Sequence, residues 1–138
     1  MNQSRSSPRK PPAVMALIAH DTKKDALTAF CQRNRQALEG WQLVATGTTG
    51  KRIAEATGLL VECVLSGPLG GDAQIAARVA AGEVGAVIFI VDPLNAHPHD
   101  PDIQTLQRVC NVHDIPLATN IATAELIVQA KTVDQDVD

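Results

Sequence analysis

A three-layer α/β/α sandwich around a mainly parallel five-stranded sheet is the fold the sequence predicts, on three observations. Short β-rich runs alternate with helical patterns along most of the chain. Two of those runs, AVMALIA and AVIFIV, are continuously apolar, as strands are when helices cover both faces of a parallel sheet. At 138 residues the chain has the size of one domain and is long enough to bury a core.

Each element follows from a local signal. Ala13 to Ala19 is the first apolar run, and the amphipathic stretch from Lys24 to Leu38 is the helix behind it. Gln42 to Ala45 and Leu59 to Leu65 are the next strands, with Lys51 to Thr57 as the helix between them. Asp72 to Ala81 is a helix, Ala86 to Val91 the fourth strand and Asp102 to Val112 another helix. Pro116 to Thr119 and Thr123 to Ala130 close the pattern as strand and helix. Apolar residues recur every three or four positions in each helix, which turns one face to a core. With no internal repeat, heptad or linker, the β-α order makes a doubly wound sheet. Residues 1–12 are a basic, Ser/Pro-rich tail expected to be disordered, 13–130 form the domain, and 131–138 are a polar tail.

Composition removes several classes of function. A net charge of −3 argues against a general nucleic-acid binder, which neutralises phosphates with concentrated Lys and Arg. An aromatic content of 2% leaves few stacking platforms for bases. Cys31, Cys63 and Cys110 sit among apolar neighbours at wide spacing and read as reduced core residues. The polar start has no apolar h-region and no stretch reaches transmembrane length, so the expectation is a cytoplasmic protein without a membrane partner.

The polar residues then fall into a pattern. After the five strands come His20-Asp21, Thr46-Gly47-Thr48-Thr49-Gly50, Ser66-Gly67 through Asp72, Asp92 through Asp100, and Thr119-Asn120. Ligands of open parallel sheets bind beyond the carboxyl ends of the strands, where all five clusters lie. The Thr46 to Gly50 turn joins strand to helix with two glycines and three hydroxyls, which suits a phosphate at a helix N-terminus and equally suits a tight capped turn. It is not a Walker A loop, because only two residues separate the glycines and Arg52 follows Lys51. Ser66 and Gly67 can add donors to the same anion, whereas Asp72 opens the next helix and can be a base or a capping carboxylate. Lys24, one turn past His20, supplies a cation to the same edge, although lysines there are more often solvated. His97, His99 and Asp102 raise a divalent-metal reading, which the two prolines among them and the lack of a cysteine ligand disfavour. A histidine placed to polarise a carbonyl explains His99 as well.

With these loops in view, ALIAHD, ATGTTG, LSGPLGGD, DPLNAHPHDPD and IPLATNIATAE resemble the methylglyoxal synthase family over about Ala13 to Val128. The resemblance implies a methylglyoxal-synthase-like, flavodoxin-like topology and a catalytic domain over 13–130. It implies a phosphate site of Lys24, Thr46, Gly47, Thr48, Thr49, Ser66 and Gly67, with His20 and His99 near the rest of the substrate. Asp72 inherits the role of catalytic base, Asp21 and Asp102 those of groups that orient histidines, and Asp92 a supporting one. It further implies a homohexamer inhibited by inorganic phosphate, with Arg108 at a position linked to intersubunit communication. Family members commonly continue through another strand and helix, whereas this chain stops at Asp138, which bears on assembly.

The expected activity is a lyase without metal or organic cofactor, converting dihydroxyacetone phosphate to methylglyoxal and inorganic phosphate in a glycolytic bypass. One alternative is a non-catalytic allosteric module that binds a phosphorylated effector. Another is a metal-dependent phosphatase built on His97 and His99.

Overall fold

The computed structural model describes residues 13–94 and 103–137, with side chains through residue 130. Strands β1 (Val14–Ala19), β2 (Gln42–Thr46), β3 (Val61–Val64), β4 (Ala86–Ile90) and β5 (Leu117–Ala118) pair in parallel in the order β3-β2-β1-β4-β5. Between them run helices α1 (Lys24–Arg33), α2 (Arg35–Leu38), α3 (Gly47–Thr57), α4 (Gly71–Ala80) and α5 (Ile103–His113), and α6 (Ile121–Val137) follows β5.

Successive side chains of a strand point to opposite faces, so the unbroken apolar run of β1 feeds two cores. Met15, Leu17 and Ala19 pack with Leu27, Phe30, Ile53 and Val128 from α1, α3 and α6. Ala16 and Ile18 pack with Ile75, Val79, Leu106 and Cys110 from α4 and α5. The three layers expected from the sequence are therefore present, and all five strands are parallel.

The strand order adds a point of difference. A flavodoxin-like sheet runs 2-1-3-4-5, whereas here β2 and β3 both lie on one side of β1 and β4 on the other. The direction of winding reverses between β1 and β4, and the ligand crevice of such a sheet opens there.

Four local expectations change. The helix from Lys24 to Leu38 breaks at Asn34, whose side-chain amide donates to the Phe30 carbonyl at 2.9 Å and to Glu125 in α6 at 2.5 Å. Helix α3 starts at Gly47 rather than Lys51, so the Thr-Gly-rich turn is itself helical, and α6 continues past Ala130 to Val137. Strand β3 is shorter than Leu59 to Leu65 and forms a sheet edge. For that reason Cys63 is exposed and not a core residue, while Cys31 and Cys110 are buried.

Candidate active site

His20, the residue after β1, is buried against Phe89, the two rings meeting edge to face with centroids 5.4 Å apart. The backbone N–H of Asp92, just beyond β4, donates to Nδ1 of His20 at 3.0 Å. An accepting Nδ1 leaves the neutral ring's proton on Nε2, so the imidazole is set as a donor through that atom. The Asp92 carboxylate accepts from the Thr22 hydroxyl and from the backbone N–H of Leu94 at 3.0 Å. This aspartate thus ties the end of β4 to the end of β1 across the crevice. Thr22 is a site residue that the sequence did not reveal, because its partner lies 70 positions away.

On the β2 and β3 side of His20, a cavity of about 270 Å³ is lined by Asp21, Lys24, Thr46, Thr48, Ser66 and Gly67, with Ala19 and Pro68. Six of the residues expected from sequence therefore meet in one small polar hollow. Thr46 caps α3 with extended backbone (φ −69°, ψ 152°) and makes no side-chain cap bond. The first turn of a helix leaves N–H groups without intrahelical partners and carries the positive end of the dipole. That end of α3 opens at the cavity, so backbone amides and the Thr48 hydroxyl can face an anion. Thr49 lies one layer deeper, 2% exposed, its hydroxyl without a hydrogen-bond partner among the described residues. A buried donor of that kind is costly until an oxygen reaches it.

Two glycines let the layers close. A Cβ on Gly50 would lie 2.5 Å from the Cys63 sulfur, and one on Gly71 would lie 1.8 Å from the Leu65 carbonyl oxygen. The glycines of both motifs thus serve close packing of helix against strand, in addition to any ligand contact.

Lys24 supplies the cavity's charge, its Nζ 3.0 Å from the Asp21 carboxylate and its side chain only 18% exposed. Asp21 thus pairs with the lysine that enters the cavity. Ser66 and Gly67 reach the cavity through a short 3-10 turn (Gly67–Leu69) that ends on Gly70 at φ +102°. Helix α4 starts at the next residue and carries Asp72 in its first turn, half-buried beside that loop and outside the cavity's lining.

His97, His99 and Asp102 lie outside the described residues, and the metal reading rested on them. Among the described residues no three His, Cys, Asp or Glu side chains gather as a metal site would. Arg108 stands exposed on α5, beside a separate hollow of about 310 Å³. That hollow and two others, about 580 Å³ beside Trp41 and about 550 Å³ beside Asn120, all exceed the polar cavity in size. Convergence of anion-binding groups, and not volume, singles out the smaller one. No helix among the described residues is long and apolar enough to cross a membrane.

A doubly wound α/β protein with a helix N-terminus, a lysine and several hydroxyls around one hollow is a binder of small phosphorylated molecules by class. Residues 26–119 match the MGS-like domain. The chain is 64% identical over 114 residues to the methylglyoxal synthase of Thermus thermophilus, covering 83% of this chain and 90% of that protein. It is 60% identical over 116 residues to that of Carboxydothermus hydrogenoformans, covering 84% and 96%. The crystal structure of methylglyoxal synthase from Elizabethkingia anophelis is similar with a TM-score of 0.83 at 44% identity, covering 89% of this chain and 82% of that one. The chain belongs to the methylglyoxal synthase family.

Proposed function

We propose that this chain is a lyase that converts dihydroxyacetone phosphate to methylglyoxal and inorganic phosphate, without metal or organic cofactor. The observation that carries the reading is the polar cavity, in which Lys24, the start of α3 and the Ser66-Gly67 loop converge.

The phosphate group takes the cavity, held by Lys24, Thr46, Gly47, Thr48, Thr49, Ser66 and Gly67. Asp72 removes a proton from the hydroxymethyl carbon, while Nε2–H of His20 and the side chain of His99 donate to the ketone oxygen. Fixed donors aimed at a developing oxyanion usually do more than any other group to lower the barrier of such a step. The enediolate then forms the aldehyde at the former hydroxymethyl carbon and moves its double bond toward the phosphate-bearing carbon. The C–O bond to phosphate breaks, and the enol left behind takes up a proton to become methylglyoxal. The cradle's task is to hold that C–O bond out of the enediolate plane, because an in-plane bond favours isomerisation over elimination. Asp21 and Asp102 tune the proton transfers and Asp92 supports His20 through its backbone. The enzyme works in the cytoplasm as a homohexamer, feeds a glycolytic bypass, and is inhibited by inorganic phosphate at the same cavity.

The test is Asp72→Asn, which keeps size and some helix-capping ability but removes the proton acceptor. Turnover falls by roughly 10²–10⁴-fold, as loss of a general base does, while substrate binding survives. In deuterated water, deuterium entry into recovered substrate and phosphate release fall together if Asp72 starts the reaction. Exchange at the wild-type rate with phosphate release lost would move Asp72 to a later step, and two unchanged rates would leave it only a first-turn carboxylate at the positive end of α4.

A further inference from the structure

Leu65, the residue after β3, is joined to both helices that carry the site. Its carbonyl accepts the backbone N–H of Gly47, the first residue of α3, at 3.3 Å. Its backbone N–H donates to the side-chain carbonyl of Gln74, on the second turn of α4, at 2.8 Å. The next residue, Ser66, accepts from the backbone N–H groups of Leu69 and Gly71 at 3.0 and 2.9 Å. One peptide thus lies between the turn that receives phosphate and the helix that bears Asp72.

Gln74 is exposed and outside both apolar cores, so packing does not explain its geometry. β3 is an edge strand whose last paired residue is Val64, and among the described residues the Leu65 N–H has no partner strand on that side. Without Gln74 this N–H turns to water, and the loop loses a side-chain bond that ties it to α4. Arg78, one turn further along α4, makes a bidentate pair with Glu62 of β3 at 3.0 and 2.5 Å and holds the Glu62 carboxyl below the usual carboxylate range. The buried Ile75, Ala76 and Val79 anchor α4 in the core independently of Gln74, so the fold is expected to survive loss of that bond.

We propose that Gln74 is a positioning residue: through the Leu65 N–H it sets the placement of the Asp72 carboxylate relative to the phosphate held by Ser66, Gly67 and the start of α3. This inference rests on the proposed roles of Asp72 and the polar cavity. A shift of reacting atoms by a fraction of an ångström costs rate far more than it costs binding, because phosphate is held by many donors and the proton is taken by one. The signature is therefore a fall in kcat with phosphate affinity kept.

The experiment compares Gln74→Met, similar in size without an oxygen acceptor, with Gln74→Glu, which restores one and places its charge one turn before Arg78. Each is measured for kcat and KM with dihydroxyacetone phosphate, for inhibition by inorganic phosphate and for melting temperature, beside Asp72→Asn. Gln74→Met lowers kcat about 3- to 10-fold, the scale of one net hydrogen bond, with phosphate inhibition changed by no more than about twofold, and Gln74→Glu regains at least about half the lost rate. An unchanged kcat in Gln74→Met while Asp72→Asn is inactive overturns the role of Gln74 alone. Equal losses of kcat and melting temperature in both Gln74 variants make it a structural residue, which also overturns it. Full activity in Asp72→Asn brings down the underlying site reading, and this inference with it.

Discussion

At the scale of single residues, the cavity's electrostatics turn on Lys24. Among the side chains lining the hollow it is the one cation, and it already neutralises Asp21 at 3.0 Å. A charge-assisted contact to phosphate contributes roughly 1.5–3 kcal/mol, or one to two powers of ten in affinity. Lys24→Ala also leaves the Asp21 carboxylate facing the phosphate, so the loss falls toward the upper end. The dissociation constant for inorganic phosphate, measured by calorimetric titration, and the KM for substrate should both rise by about 10- to 100-fold. A phosphate affinity within about twofold of wild type would place the anion elsewhere. The residues of this hollow were legible in the sequence because parallel winding puts every strand end on one edge, so that polar residues after strands share a site without any pairing being known. Thr22 and the backbone of Leu65 were not legible. Each acts through a partner brought near by the fold alone, Asp92 for one and Gln74 for the other.

At the scale of elements, two helices show where local pattern stops being informative. The apolar period of Lys24 to Leu38 does not fail at Asn34; the helix breaks because the Asn34 amide turns to the Phe30 carbonyl and to Glu125, which is 91 positions away. The start of α3 was hidden by Gly47 and Gly50, both poor helix formers; a Cβ on Gly50 would lie 2.5 Å from the Cys63 sulfur, and one on Gly47 would make a tight 3.3 Å contact with the Ser66 backbone nitrogen. Strand β3 follows the same logic, since nothing in its own residues says that it lies at an edge. Its edge position has a chemical consequence for the thiols. Burial pushes the Cys31 thiol up to about 12 and the Cys110 thiol up to about 11, while Cys63 is exposed. Only the thiolate reacts, and at pH 8 those two are ionised to roughly one part in 10⁴ and 10³. An aromatic disulfide reagent at that pH should label Cys63 in the folded protein and the other two only in denaturant. Fast labelling of Cys31 or Cys110 without denaturant would contradict the packing of α1 or α5.

At the scale of the whole molecule, the layers followed from two unbroken apolar runs and the count of strands from the alternation of β-rich and helical patterns, whereas the order of the strands followed from neither. Strand pairing is a long-range choice, and β1 lies between β2 and β4 although more than sixty residues separate it from the latter. That order divides the proposed phosphate cradle between parts of unequal local stability. Lys24 opens the helix that follows β1 and Thr46 ends β2, two strands flanked by strands on both sides, while Ser66 and Gly67 follow β3, which has a neighbour on one side only. Amides open to solvent with free energies that fall from central strands to edges. Amide hydrogen exchange should therefore be slowest in Val14–Ala19 and Ala86–Ile90 and faster through residues 61–67. A ligand that needs both parts of the cradle stabilises the closed edge by mass action, about 2.7 kcal/mol at a hundred times its dissociation constant. Saturating phosphate should then slow exchange most in residues 61–67 and hardly change it in β4, so that the protein senses occupancy of its cavity as a stiffening of one sheet edge.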